Sequence, residues 1–320
     1  MAMKSIIVAG KERCGRTLLS VGIALNLQDI SYFKPLFIKK IWGKGDKDED
    51  VKIMKKVLDL PFSETEICPG IEQDMTNNKI QEGFEKVSKG KKLTIVESDI
   101  FYGYKKGFSA LHIAHLLGGK IILLIEKRDG WEDEAEFFSE RLNNTLLGIV
   151  LNKGEDSDLK KEGLLGVIPY EGSLSTLSAN QIAEELYATI LAGDDGLGKT
   201  IENILVGAMT VEHATKYFLQ TQNKCVITGG DREDIIIAAL STSTSCVVIT
   251  GDIVPSISVI EKAERKRIPL LSVSWDTFTT AEKIEAIVPK IRPENKEMLA
   301  KIKEMTKPVT AQISSLLSLS

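Results

Sequence analysis

The sequence is poor in the residues that metal and redox chemistry draw on, with three histidines and four cysteines in 320 residues. Cys14, Cys68, Cys225 and Cys246 show no CxxC spacing and lie mostly in or beside apolar runs, so they read as reduced thiols without metal or disulfide roles. His112 and His115 stand three apart on one predicted helix face, a spacing some metal sites use. No carboxylate or thiol obviously completes such a site, and packing with hydrogen bonding is the preferred reading. A basic excess is also missing. The formal net charge is −4 and the pI near 5.7, which argues against a nucleic-acid surface. No run approaches the roughly 20 apolar residues of a membrane span, and the first residues lead into a strand without a signal-peptide pattern. A cytoplasmic protein without membrane contact is expected, with small molecules or proteins as partners.

What is present is a composition for two cored domains, 43% hydrophobic and 27% charged. SIIVAG (5–10) reads as a buried strand and TLLSVGIALNLQ (17–28) as a helix behind a glycine turn. SYFKPLF (31–37) reads as a second strand, followed by a charged run, GKGDKDED (43–50), most simply a solvated loop. KKLTIVESD, KIILLIE, LLGIVLNKG and LLGVIPY add strands, and GFSALHIAHLLGG a helix closed by Gly118 and Gly119. Apolar strands alternating with helices call for a parallel sheet covered on both faces, an α/β fold.

Composition shifts after Tyr170. Ser178 and Gln181 form a capping box opening a helix expected to run to Gly193; TIENILVGAM reads as a strand, and Thr210 as the cap of VEHATKYFL. KCVITGGD (224–231) and SCVVITGD (245–252) echo each other, each a strand ending in Thr-Gly before a helix. IPLLSVSWDTFTTAEKIEAI repeats the pattern, with Thr279 and Glu282 placed as a capping box. The expected domains are 1–172, a smaller α/β domain at 177–290, and a helical tail at 291–320 around Pro308.

Two stretches approach the phosphate-loop pattern G-x4-G-K-[ST]. GDDGLGKT (193–200) matches every position but follows a predicted helix and precedes a strand, so no helix N-terminus would face an anion, and Asp194 and Asp195 would repel it. It reads as a helix stop and turn. GKERCGRT (10–17) has Arg16 in place of lysine, yet sits between a strand and a helix, the context the chemistry needs. There Gly10 and Gly15 shape the loop, Lys11 and Arg16 supply cations, and Thr17 is placed to hold magnesium; an inherited strand-turn-helix that no longer binds nucleotide is the alternative. Glu97, at the end of KLTIVE, is placed to hold magnesium or order a water, with Asp99 a weaker candidate. Lys34 follows the second strand at the ligand-binding edge of such sheets, and Asn152 could pair with a base edge or simply make a turn. In the second domain Gly229 and Gly230 allow close backbone approach, Asp231 can cap the next helix, and Arg232 offers a fork to an anion; fixing loops or pairing across a dimer is the blander role for both side chains.

GKERCGRT, the YFKP stretch, TIVES and the GIVLNKG…LLGVIPY ending occur in the order found in the dethiobiotin synthetase and cobyrinic acid a,c-diamide synthase branch of phosphate-loop proteins, which residues 3–172 resemble. Residues 177–290 are similar to the DRTGG domain through LVGAMTVEHATKYF, ITGGDREDIIIAAL, VVITGDIVPS and PLLSVSWDTFTTAEKI. The same tandem forms the amino-terminal half of long phosphate acetyltransferases; the sequence stops before an acetyltransferase domain, so that activity is not implied. The resemblance implies ATP or another nucleotide with Mg2+ as cofactors, and places Lys34 near the reacting group. Arg16 departs where the Walker lysine supports phosphoryl transfer. The naming residues of DRTGG map to Asp231, Arg232, Thr250 and Gly251, with Asp252 in place of the last glycine. DRTGG domains in pyrophosphatases lie beside nucleotide-sensing modules and form dimers, which implies a regulatory homodimer. The expected function is therefore a nucleotide-binding regulatory protein with a degenerate phosphate loop. An ATP-dependent carboxylate ligase, with Lys34 and Glu97 catalytic, and a structural dimer module serving a protein client are the alternatives.

Overall fold

A computed structural model describes residues 4–36, 48–70, 75–160, 163–287 and 289–318. The chain divides into two compact units, one of residues 1–171 with 291–320 and the other of residues 172–290. Phe37 and most of the charged run, residues 43–47, lie outside the described residues.

The first unit contains β1 (Lys4–Gly10), α1 (Arg16–Asn26), β2 (Ile30–Phe33), α2 (Glu49–Leu58), α3 (Glu64–Ile67), α4 (Asn77–Ser88), β3 (Leu93–Asp99), α5 (Ala110–Leu117), β4 (Lys120–Glu126), α6 (Trp131–Leu142), β5 (Leu146–Gly154) and β6 (Leu164–Pro169). The six strands form one parallel sheet in the order β2-β3-β1-β4-β5-β6. Their near-continuous apolar runs are what a sheet covered on both faces requires. With a side-chain period of two, Ile7, Ala9, Leu123 and Leu151 join the core built with α4, α5 and α6. Ile6, Val8, Ile122 and Leu124, equally buried, turn to the other face. Because β1 is flanked by β3 and β4, chain progression reverses beside it, and the crevice at its carboxyl end is where such sheets bind ligands.

The second unit contains β7 (Leu177–Ser178), α7 (Ala179–Leu186), β8 (Thr189–Ala192), β9 (Thr200–Ile201), β10 (Asn203–Val206), α8 (Val211–Gln220), β11 (Lys224–Gly229), α9 (Glu233–Leu240), β12 (Thr244–Thr250), α10 (Ile257–Arg265), β13 (Leu270–Ser272) and α11 (Thr277–Glu285). Its main sheet, β10-β11-β12-β13-β8, is parallel except for β8, which runs antiparallel at the edge; β7 and β9 pair separately. The fold is thus α/β throughout, a parallel-sheet unit with a smaller mixed-sheet unit.

Several local expectations change. The capping box at Ser178 and Gln181 is present, but α7 stops at Leu186 with Tyr187 in the left-handed conformation. The chain then turns, and Thr-Ile-Leu, suited to a strand by its β-branched residues, pairs with β13 instead of extending the helix. TIENILVGAM splits at Glu202, whose N–H bonds Asn223 O, so its halves serve two sheets. Asp276, not Thr279, caps α11, because its carboxylate reaches Thr279 N. The Thr210 hydroxyl lies 2.9 Å from His213 Nδ1 and caps no backbone N–H.

The segment read as a helical tail forms α12 (Lys296–Leu316), which returns to the first unit and packs on α1 and β6. Gly22 makes the close approach possible, since a Cβ there would strike the Thr306 side chain. Asn26 Nδ2 fastens the pair, donating to Lys303 O at 2.9 Å and Thr306 Oγ1 at 3.2 Å.

Candidate functional site at the carboxyl edge of the parallel sheet

β1 ends at Gly10, the loop Lys11–Gly15 follows, and Arg16 opens α1. Gly15 sits at the N-cap with φ 99°, a conformation that favours glycine, and a Cβ there would also strike Asn152 Nδ2. Having no side chain, Gly15 caps nothing. The backbone N–H groups of Glu12, Arg13, Gly15 and Thr17 have no acceptor among the described residues, while that of Arg16 is turned to the Cys14 sulfur. Together with the helix dipole they make an anion-binding concavity.

Arg16 does not reach into that concavity. One guanidinium nitrogen bonds Gly10 O at 3.1 Å, Ser98 O at 3.0 Å and Asp99 Oδ2 at 3.1 Å. It clamps the ends of β1 and β3, and Asp99 is further held by the N–H groups of Phe101 and Tyr102, both at 2.9 Å. Lys11 turns away as well, with Nζ 2.7 Å from Glu134 Oε2, an atom it shares with Arg128. Asn152 is buried, donates to Cys14 O at 2.8 Å and accepts from Lys153 N at 3.0 Å, so it fixes the loop and the following turn, with its amide group engaged at both ends.

The residues that do converge are Thr17, Glu97 and Lys34. Glu97, 2% exposed, receives Thr17 Oγ1 at 3.1 Å, Ser20 Oγ at 3.2 Å and Tyr32 OH at 3.2 Å. Burial, then the charge of Asp50, pushes its carboxyl above the ordinary 4.5 against the pull of Lys34 and Arg16. Lys34 Nζ lies 2.8 Å from Asp48 Oδ2 and 2.6 Å from Asp50 Oδ2. Its burial disfavours the charge, but Asp50, Glu97 and Asp48 together outweigh that and hold its pKa above normal. Burial would raise Asp50; Lys34, then a hydrogen bond from Thr17, brings it below the usual carboxylate value.

Asp48 and Asp50 are the site residues that the sequence reading missed, having taken the charged run as solvated. Asp48 is the N-cap of α2, accepting from Asp50 N and Val51 N, which fixes the turn that delivers both carboxylates to Lys34. An acidic residue directly before an amphipathic helix was the available signal.

Thr17, Glu97 and Asp50 present hard oxygen donors, the set Mg2+ prefers. Among the described residues no group of three or more His, Cys, Asp and Glu is placed as a metal site, so protein carboxylates alone do not make one. His112 lies 2.8 Å from Ser109 Oγ and His115 3.3 Å from Thr145 Oγ1, which accounts for both by hydrogen bonding.

In the second unit, Gly229 ends β11 and Gly230 follows it, where a Cβ would strike Ile253 O. Asp231 does not cap α9. Arg232 holds the N-cap position, and its fork is occupied by Asp234, with Nε and NH2 each 3.1 Å from a carboxylate oxygen, and by Met209 O at 3.0 Å. Thr250 is buried against Thr277 Oγ1 at 2.9 Å, and Gly251 and Asp252 both carry positive φ. These residues close the loops of this edge on one another.

GDDGLGKT follows β8, not a helix as expected, and precedes β9. Gly193 takes φ 76°, its N–H bonds Glu264 Oε2 at 2.6 Å, and a single helical turn, Asp194–Gly196, follows. As the context predicted, no α-helix starts behind it.

Residues 181–287 match the DRTGG domain family. Over most of its length the chain is similar to curated phosphate acetyltransferases. That of Pseudomonas aeruginosa is 24% identical over 91% of this chain and 48% of its own, and that of Pseudomonas putida 28% identical over 58% and 31%. The chain spans no more than about half the length of these relatives. Among solved structures, the CBS and DRTGG domains of the regulatory region of Clostridium perfringens pyrophosphatase, complexed with the activator diadenosine tetraphosphate, give a TM-score of 0.31 at 21% identity, covering 49% of this chain and 70% of that one. No helix among the described residues is long and apolar enough to cross a membrane.

Proposed function

We propose that the chain is a nucleotide-binding regulatory protein. Its first unit holds the phosphates of ATP or a related nucleotide on the Gly10–Thr17 loop, and its DRTGG unit dimerises it. The observation that carries this reading is the set of uncommitted amides of Glu12, Arg13, Gly15 and Thr17 at the start of α1, beside the cluster of Thr17, Glu97 and Asp50. Mg2+ would be held by those three residues and would neutralise phosphate charge. Lys34 is the buried cation of the same cluster. Arg16, engaged in three bonds that close the sheet, stabilises the loop from behind, which favours binding and sensing over phosphoryl transfer. The second reading, an ATP-dependent carboxylate ligase, is favoured by Lys34 lying next to the metal-type donors, and substrate-stimulated phosphate release would be its sign.

The dimer reading rests on an apolar surface at the carboxyl edge of the second sheet. Met209, Ile253, Val254, Ile257 and Phe278 are each between 44% and 75% exposed on the loops and first helical turns following the strands. Calorimetric titration with Mg-ATP and Mg-ADP tests the nucleotide reading: wild type should bind and Asp50→Asn should weaken it, while no binding up to millimolar concentration overturns it. Sedimentation tests the dimer, which Val254→Glu with Ile257→Glu should dissociate; a wild-type monomer at micromolar concentration refutes it.

A further inference from the structure

The opposite, amino-terminal edge of the second unit carries a cavity of about 490 Å³, within the range of small-molecule sites. Its floor is apolar, from Leu240 and Ile268, and its rim is polar. Lys199 and Thr200, the last two residues of GDDGLGKT, line it, as do Lys266 and the hydroxyl run beginning at Thr242. No aspartate or glutamate is among the lining residues.

The rim is one-sided in its hydrogen bonding. Lys199 Nζ, Lys266 Nζ and the Asn223 side-chain amide have no partner among the described residues, and the Ser243 hydroxyl, which accepts from Asn223 N at 3.4 Å, donates its own proton to none of them. Most of the helix-terminal carbonyls nearby are taken. Cavity walls at the ends of α9 and α10 would ordinarily repel an anion through their terminal carbonyls. Here Ala239 O accepts from Thr242 Oγ1 at 2.9 Å and Thr244 Oγ1 at 2.7 Å. Ala238 O, Lys262 O, Ala263 O and Glu264 O are capped by the N–H groups of Ser241, Lys266, Ile268 and Arg267. Ser245 Oγ is turned to Thr200 O at 2.7 Å, fixing the start of β9 directly after Lys199. Burial, then the charge of Arg267, lowers the pKa of Lys199.

Free donors of positive or neutral character, an apolar floor and no free carboxylate describe a receptor for a small anion with an apolar or sugar portion. We propose that this cavity is a binding site for a phosphorylated small molecule, its phosphate held by Lys199 and Lys266 and supported by Asn223 and Ser243. The site is separate from the Gly10–Thr17 loop, and it gives the perfect phosphate-loop match a part in anion binding through its lysine, with none of that motif's geometry.

The test titrates inorganic phosphate, and glycerol 3-phosphate as a phosphomonoester without a base, into the full chain. Acylation of lysines is followed residue by residue by mass spectrometry. Either ligand should slow labelling of Lys199 and Lys266 while leaving Lys153, exposed on the first unit, unchanged. Lys199→Ala with Lys266→Ala should weaken binding by about tenfold or more, as expected when charged hydrogen bonds are lost. Tighter binding of the phosphomonoester would show that the cavity also reads the group carrying the phosphate, and equal binding that the phosphate alone is read. Absence of protection at millimolar concentration, or affinity unchanged in the double variant, overturns the proposal. Because protection is read at Lys199 and Lys266, which line this cavity and lie outside the Gly10–Thr17 loop, failure here leaves the nucleotide reading of the first unit standing, and the reverse holds too.

Discussion

Two eight-residue stretches, Gly10–Thr17 and Gly193–Thr200, share the spacing Gly-x4-Gly-x-Thr and fold differently. The first misses the phosphate-loop pattern at Arg16 yet lies between a buried strand and an 11-residue helix, with the amides of Glu12, Arg13, Gly15 and Thr17 uncommitted. The second fits the pattern completely, and its glycines serve a turn packed on residues 267–269, where a Cβ at Gly193 or Gly196 would strike backbone. A phosphate loop is a backbone shape set by its flanking elements, and the consensus residues are a consequence of that shape.

The contrast can be broken most severely at Lys34. Lys34→Met removes the cation from between Asp48 and Asp50 and should destabilise the first unit by about 3 kcal/mol, the low end for breaking a buried pair because Asp50 is 34% exposed. Urea denaturation would show it, and nucleotide binding should vanish with it. Glycine exchanges come next. Gly15→Ala and Gly193→Ala each force a residue with a Cβ into a positive φ and a clash, costing about 2 kcal/mol apiece. Calorimetry should then separate them, with Mg-ATP affinity lost in the first and kept in the second.

A smaller effect is expected from the cations. Arg16→Ala should weaken Mg-ATP binding about tenfold by loosening the clamp behind the loop, whereas Lys199→Ala should leave it unchanged. Equal losses would dissolve the comparison. The smallest effect lies in the thiols. Burial pushes Cys14, in the first stretch, and Cys68 up to about 12 from the ordinary 9.0. The native protein then keeps protons that the unfolded chain releases between pH 9 and 12. The resulting contribution to stability is full below pH 9 and is lost as pH rises through 12. Thiol-reactive probes at pH 8 should modify both only after denaturation.

Much of this architecture was legible in the sequence because the buried strands are continuous apolar runs and the helices between them begin or end on recognisable signals. Strand order was not, since β1, β3 and β4 become neighbours through contacts that no local pattern encodes. The end of α7 was missed because Tyr187, not a glycine, takes the left-handed position. Within the candidate site, Thr17 and Glu97, both singled out from the sequence, lie 3.1 Å apart. Asp48 and Asp50 stayed hidden in a charge run, and the use of Arg16 and Asn152 as structural ties could not be foreseen, because a side chain's partners depend on distant backbone ends.

The return of α12 to α1 has a consequence for the chain during its synthesis. The helix that follows the Gly10–Thr17 loop emerges before the second unit, while the surface that covers its Gly22 face is made only after that unit. At about 5–20 residues per second, the interval is on the order of tens of seconds. Through that time the nascent first unit exposes an apolar groove that later segments alone can fill, and the entire second unit can fold before the first is complete.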